Sequence, residues 1–180
     1  MSNIVILNGS MRRGGNTELL AEAFARGAGL HNHVEILSVA DYQVNPCLGC
    51  NACFQRPGNS CVQQDDMQRI YPKLRDADML LLASPVYFYG ISAQLKAVID
   101  RLHTPMRDSF RIRRTGLLLV GAATLPELFD AILMEYQLTC NYFQLQHVGQ
   151  VLVRGVREKG DIIRAGDTLQ QAYDLGASMI

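Results

Sequence analysis

"NIVILNGSMRRGGNTELLAEAFARGAG", Asn3 to Gly29, carries a short apolar run through a glycine-bearing loop into a stretch of helical period. Asn3–Asn8 is brief and rich in Ile, Val and Leu, so it predicts a buried strand. Leu19, Leu20, Ala23, Phe24 and Ala28 share one face at helical spacing, so a helix follows. The stretch is therefore one βα unit, and the rest of the chain repeats it.

"HVEILSV" (33–39) predicts a second strand, and "DDMQRIYPKLRD" (65–76) a short helix with a kink at Pro72. "DMLLLASPVYF" (78–88) holds a third strand, followed by the helix "SAQLKAVIDRLH" (92–103), with Leu95, Val98, Ile99 and Leu102 inward. "TGLLLVGAA" (115–123) predicts a fourth strand, "LPELFDAILMEYQLTCN" (125–141) a long helix and "LQHVGQVLV" (145–153) a fifth strand. A helix within "GDTLQQAYDLGASM" (166–179) closes the chain.

Five such units in series require a parallel sheet with helices on both faces and right-handed crossovers. Strand order 2-1-3-4-5, the flavodoxin-like three-layer α/β fold, suits five strands. Chain direction reverses between strands one and three, and ligands of such sheets bind there, beyond the carboxyl ends of the strands. No linker, repeat or low-complexity tract divides the 180 residues, so one domain, 1–180, is expected.

Seventeen basic residues balance seventeen acidic ones, which argues against nucleic acid or an anionic membrane as the main partner. No apolar run reaches the length of a bilayer span, and "MSNIVILNGS" lacks a basic leader. The expectation is a cytoplasmic protein with reduced thiols.

The loop after strand one, "NGSMRRGGNTELL", combines Gly9, Gly14 and Gly15 with a helix starting near Asn16 or Thr17. A helix N-terminus presents unpaired N–H groups and partial positive charge, which suit a phosphate. Ser10, Asn16, Thr17 and Arg12 or Arg13 add donors. A plain capped turn has the same signature. The motif is neither a triphosphate cradle nor a G-x-G-x-x-G loop. The loop after strand three sets Tyr87, Phe88 and Tyr89 together, with Gly90 free for close approach and Ser92 as helix cap. Aromatics there fill core or pack on a flat ligand. Facing each other across the switch point, the two loops suggest a site for a phosphorylated aromatic cofactor.

"CLGCNACFQRPGNSC" holds Cys47, Cys50, Cys53 and Cys61. In a reducing compartment four close thiols point to metal rather than disulfides. Zinc knuckles separate their C-x2-C pairs more widely. Three cysteines at single-turn spacing and a fourth after a short loop resemble the ligand run of a 4Fe–4S cluster. Free thiols and zinc stand as alternatives.

"GSMRRGGNT" and "SPVYFYGISAQLKAVIDR" closely resemble the two cofactor loops of the flavodoxin-like NAD(P)H-dependent FMN reductase family. The cysteine loop, with "DDM" after it, is similar to the iron–sulfur flavoprotein branch. The resemblance runs from Ile4 to the last helix. It implies that Ser10, Arg12, Asn16 and Thr17 hold the FMN phosphate. It further implies that Pro85, Val86, Tyr87, Phe88 and Gly90 line the isoalloxazine, largely through backbone. Met11 stands where the family commonly has proline, and "GAATLPE" (121–127) is shorter than the usual third wall of the flavin pocket. An FMN-dependent NAD(P)H oxidoreductase is the implied activity, in a homodimer or homotetramer. Electrons would pass to a small-molecule acceptor or redox protein, directly or through the cluster. An electron carrier without a nicotinamide site, and a zinc or redox-sensing interaction module, are the alternative readings.

Cys140 shares a helical stripe with Leu133 and Tyr136 and reads as core. Asp65 and Asp66 read as helix caps. Arg107, Arg111, Arg113 and Arg114 read as a solvated loop, with the 2′-phosphate of NADPH or a partner subunit as a second reading. The four histidines lack ligand spacing, and no side chain is expected to be catalytic.

Overall fold

Both faces of the central sheet are buried, which is why its strands are nearly continuous apolar runs. The computed structural model describes every residue from Met1 to Ile180. Strands β1 (Asn3–Asn8), β2 (His33–Ser38), β3 (Met79–Pro85), β4 (Arg114–Val120) and β5 (Gln146–Val153) pair in parallel in the order β2-β1-β3-β4-β5. The helices are α1 (Asn16–Ala28), α2 (Met67–Asp76), α3 (Ala93–Asp100), α4 (Asp130–Phe143) and α5 (Thr168–Ala177). Fold class and strand order are as the sequence leads one to expect.

Alternate residues of a strand point to opposite faces. Ile4 and Ile6 enter the core beneath α1 and α5, whereas Val5 and Leu7 enter the one beneath α2 and α3. Leu117 and Leu119 pack with Phe129 and Ile132 of the α4 region. Each fully buried Leu, Ile or Phe contributes roughly 1.5–3 kcal/mol of burial. No helix is long and apolar enough to cross a membrane.

One packing feature has no signature in hydrophobic pattern. A Cβ on Gly27 of α1 would lie 2.0 Å from the Tyr173 carbonyl oxygen, and one on Gly176 of α5 would lie 2.2 Å from that of Phe24. The two helices therefore meet backbone to backbone.

Two boundaries depart from expectation. Helix α4 starts at Asp130 rather than near Leu125, because the Arg154 guanidinium takes the carbonyls of Leu125 and Pro126 at 3.0 and 2.8 Å and stacks over Phe129. Helix α3 ends at Asp100, and Arg101–His103 tighten into a 3-10 turn. Helix α2 continues through Pro72.

What positions a site is the end of β1 beside β3. Asn8 pairs with Ala83, and the next residue, Gly9, donates its N–H to the Ala83 carbonyl at 2.7 Å. The β1 and β3 loops thus leave the sheet from adjacent points, at the order reversal.

Candidate functional site

In the β1 loop, the Ser10 hydroxyl donates to the Arg12 carbonyl at 3.2 Å and accepts from the Arg12 N–H at 3.1 Å, curling the chain back. Gly14 turns through φ +61° and helix α1 begins. The N–H groups of Asn16, Thr17 and Glu18 have no partner in the protein, as the first turn of a helix dictates. Thr17 is 98% buried by its neighbours, and its hydroxyl makes no hydrogen bond. The Glu18 carboxylate takes the Gly14 N–H, and Arg13 pairs with Asp41 beyond β2.

Asn16 is used differently from expectation. Its Nδ2 donates to the Glu158 carbonyl at 2.9 Å, and its Oδ1 accepts from Gly160 N at 3.0 Å and Ile162 N at 3.3 Å. Arg12 Nη1 donates to the Arg157 carbonyl at 3.4 Å. Both side chains strap the loop after β5 against the β1 loop. That brings in Lys159, which sequence reading missed because it lies 142 residues beyond Thr17. A Cβ on Gly14 would stand 3.1 Å from Lys159 Nζ, and Lys159 is in no salt bridge.

The β3 loop is anchored from within. Ser84 Oγ accepts from Ser92 N at 2.9 Å, and Ser92 Oγ caps α3 at Leu95 N, 3.3 Å. Tyr87 and Gly90 exchange both backbone hydrogen bonds, at 2.9 and 3.0 Å, closing a two-residue turn. Its central residues are Phe88 at φ 47° and Tyr89 at φ 62°. Positive φ at both is the pattern of a mirror-image turn, normally supplied by Gly or Asn. The strain falls on two aromatics and not on Gly90. Phe88 is wholly exposed, and Tyr87 and Tyr89 are half exposed, beside the β1 loop.

The cysteine segment leaves the β2 end of the sheet and folds back under α3. Cys47, Cys50, Cys53 and Cys61 all line one cavity of about 30 Å³, with Tyr71, Arg101 and His103. Left-handed backbone at Gly49, Asn51, Gly58 and Asn59 curls the loop around it. Cys47 Sγ accepts from Gly49 N, and Cys61 Sγ from Gln63 N, each at 3.5 Å. The donor set is all thiol and shares one cavity. No three of the side chains converge on a common metal position.

Asp65 does more than cap. Its Oδ1 accepts from Met67 N at 3.2 Å, as a cap should, but both carboxylate oxygens also meet Arg101, at 2.6 and 3.2 Å. Burial pushes its carboxyl up, and the Arg101 guanidinium with the N–H groups of Asn45 and Met67 outweighs that and holds it below the usual carboxylate range. Cys140 is buried, and burial pushes its thiol up.

The arginine run is solvated at Arg111 and Arg113, as expected, but the segment that carries it is anchored. Phe110 and Ile112 are core residues, Arg107 bonds the Tyr142 hydroxyl at 3.0 Å and Arg111 pairs with Asp78 at 2.7 Å. The run precedes β4 at the amino ends of the strands, about 20 Å from the two loops by strand length. A nicotinamide phosphate at the switch point is out of its reach.

Residues 2–149 match the family described as NADPH-dependent FMN reductase. The chain belongs to that family. Iron–sulfur flavoprotein MJ1083 of Methanocaldococcus jannaschii is 42% identical over 123 residues, covering 67% of this chain and 62% of that protein. A Methanosarcina thermophila iron–sulfur flavoprotein is 37% identical over 120 residues, covering 65% of this chain and 59% of that protein. The chain thus spans less than two thirds of these relatives. Among solved structures, NAD(P)H:quinone oxidoreductase from Methanothermobacter marburgensis superposes with a TM-score of 0.80 at 17% identity, covering 99% and 96% of the two chains. That likeness concerns the fold. The β1 and β3 loops stand side by side at the switch point.

Proposed function

We propose that residues 1–180 form one FMN-binding unit that works as an FMN-dependent NAD(P)H oxidoreductase. The observation that carries this is the unpaired first turn of α1, with the free Thr17 hydroxyl and Lys159 beside it, next to the aromatic turn at the same sheet edge. The phosphate is held by the N–H groups of Asn16 and Thr17, the Thr17 hydroxyl and Lys159. Ser10 shapes the loop, and Arg12 and Asn16 act mainly by fixing the loop that carries Lys159. Pro85, Val86, Tyr87, Phe88 and Gly90 line the ring site, the Tyr87–Gly90 turn holding its backbone rigid. Bound FMN would accept hydride from a nicotinamide and release electrons to an acceptor. No side chain has to move a proton for that exchange.

Cys47, Cys50, Cys53 and Cys61 hold a 4Fe–4S cluster in this reading. Support comes from the all-thiol donor set in one cavity and from relatives named iron–sulfur flavoproteins. The cluster would supply one-electron relay between the flavin edge and a small-molecule acceptor or redox protein. Cys47, Cys50 and their neighbours would have to draw inward to bind it. No three of these side chains converge on a common metal position, which favours a second reading, a flavin reductase with free thiols. A reducing cytoplasm suits either. An exposed stripe on α4, Met134, Leu138 and Tyr142, supports assembly with a second copy.

The test is a titration of the purified protein with FMN and with riboflavin, followed by NADH and NADPH oxidation. FMN should bind more tightly, since only it meets the α1 N-terminus. Equal affinity for the two flavins rejects the assignment.

A further inference from the structure

The segment between α3 and β4 and the last turn of α4 bound a cavity near the amino ends of the strands, at the opposite edge from the two switch-point loops. It measures about 390 Å³, within the range that takes a small organic ligand. Leu80, Leu102, Phe110 and Ile112 form its floor, each at most 7% exposed and part of the core beneath α2 and α3. Tyr142 and Phe143 of α4 supply an aromatic wall.

The rim is cationic, and backbone holds its charges in place. Arg107 Nη1 donates to the His103 and Thr104 carbonyls at 2.9 and 3.2 Å, and its Nη2 to the Tyr142 hydroxyl at 3.0 Å. The same guanidinium lies 5.3 Å from the Tyr142 ring centre and 5.8 Å from that of Phe143. Arg113 Nη1 donates to the Phe110 and Ile112 carbonyls at 3.0 and 2.8 Å. None of these acceptors is a carboxylate, so the bonds fix both cations without neutralising them. Arg113 keeps Nε and Nη2 unspent, the edge of a guanidinium that can take both oxygens of a carboxylate. Asp108 is the one acid on the rim, with its side chain 79% exposed and 3.9 Å from Arg107 Nε.

That combination selects a ligand class. An inorganic anion would leave the apolar floor uncovered, and a neutral hydrocarbon would leave the Arg113 fork unpaired. We propose that this cavity is a second ligand site, which takes a small organic carboxylate with an aromatic or branched apolar body. The carboxylate sits on Nε and Nη2 of Arg113, and the body covers the floor beside Tyr142 and Phe143. Apolar burial supplies affinity, and the fork supplies orientation. The site shares no residue with the β1 and β3 loops, so it does not rest on the flavin reading.

The experiment titrates the full chain, with FMN present, with benzoate at fixed ionic strength and follows amide NMR shifts. Benzyl alcohol is the neutral analogue. Benzoate should shift the amides of residues 107–113 and 142–145 saturably, and benzyl alcohol should bind more weakly by about fivefold or more. R113Q should weaken benzoate by about the same factor, and R113K by less, because it keeps the charge but not the fork. R111Q, on the same segment but paired with Asp78 and outside the cavity, should leave benzoate affinity within about twofold. Equal affinity for the two probes, or equal losses in R111Q and R113Q, overturns the proposal. Shifts confined to the β1 and β3 loops overturn it too, since benzoate would then be acting at the switch point. An unresponsive cavity also overturns it, and an oligomer that R113Q dissociates would then show a second copy filling that face. Should R113Q fail to fold, R113K decides, and unweakened benzoate binding there counts against the proposal.

Discussion

Arg101 and Asp65 form a two-pronged ion pair 36 residues apart in sequence, with contacts of 2.6 and 3.2 Å and side chains 1% and 4% exposed. Asp65 also accepts the Asn45 N–H at 3.0 Å, and Arg101 donates to the Asn45 carbonyl. Asn45 precedes the first cysteine of the loop and Asp65 follows the last. The pair is thus the clasp that closes the cysteine segment onto α3.

Removing one partner leaves a buried charge alone, so Arg101→Met should cost about 3–5 kcal/mol in urea unfolding. Replacing both, Arg101→Met with Asp65→Leu, should recover most of that, because a buried pair exchanged for apolar groups is close to neutral. A double variant as unstable as the single one would mean the loss lies in packing rather than in charge.

The same clasp makes the loop acid-sensitive. Asp65 has its folded pKa lowered, so its contribution is complete above the unfolded value of about 3.9 and is lost as pH falls through the lower folded value. Hydrogen exchange at residues 45–65 should accelerate in that range ahead of the sheet, and in Asp65→Asn it should already be fast at neutral pH.

The strand order was legible because βα units announce themselves in periodicity, and β1 to β5 are buried on both faces. The switch-point loops were legible for the same reason, since Gly9, Gly14 and three successive aromatics interrupt that periodicity. Asn16 and Arg12 were visible as polar residues, but their partners Glu158 and Arg157 are more than 140 residues away, so their bonds were not. Lys159, Arg101 with Asp65, and the Gly27–Gly176 contact escaped for the same physical reason. Each depends on a long-range approach that leaves no local pattern.

Lys159 offers a direct check on the phosphate site. Lys159→Ala should weaken FMN roughly threefold to tenfold at low salt and leave riboflavin unchanged, the range reflecting an exposed cation in screened solvent. Thr17→Val should do the same through loss of one hydroxyl donor. The Lys159 effect should shrink as salt rises, whereas that of Thr17 should persist. Parallel losses for riboflavin would place both residues elsewhere.

Phe88 is held at φ 47° with its side chain wholly in solvent, so it bears strain and gains no packing within the chain. Left-handed backbone costs a side chain about 1–2 kcal/mol that glycine avoids. Phe88→Gly should therefore raise the unfolding free energy by about 1 kcal/mol, after allowing for the freer unfolded chain. FMN affinity should hold, because backbone lines the ring. If stability falls instead, the Phe88 ring packs against something in solution, and the α4 face of a second copy becomes the first place to look.

The cysteine loop gives the most discriminating measurement. After anaerobic reconstitution a 4Fe–4S site should hold about four irons and four sulfides per chain. Replacing any one of Cys47, Cys50, Cys53 or Cys61 with Ala should degrade it, because all four line the same cavity. FMN should stay bound in each variant, since its phosphate meets α1 and the loop strapped to it, across β1 from the cysteine segment. Cys140→Ala should spare both cofactors, because that thiol is buried in α4. Four variants that lose iron together, with FMN unmoved, would establish one shared metal site. Tight zinc uptake in place of iron would make the loop a structural clip. Uptake of neither would leave four reduced thiols beside a flavin.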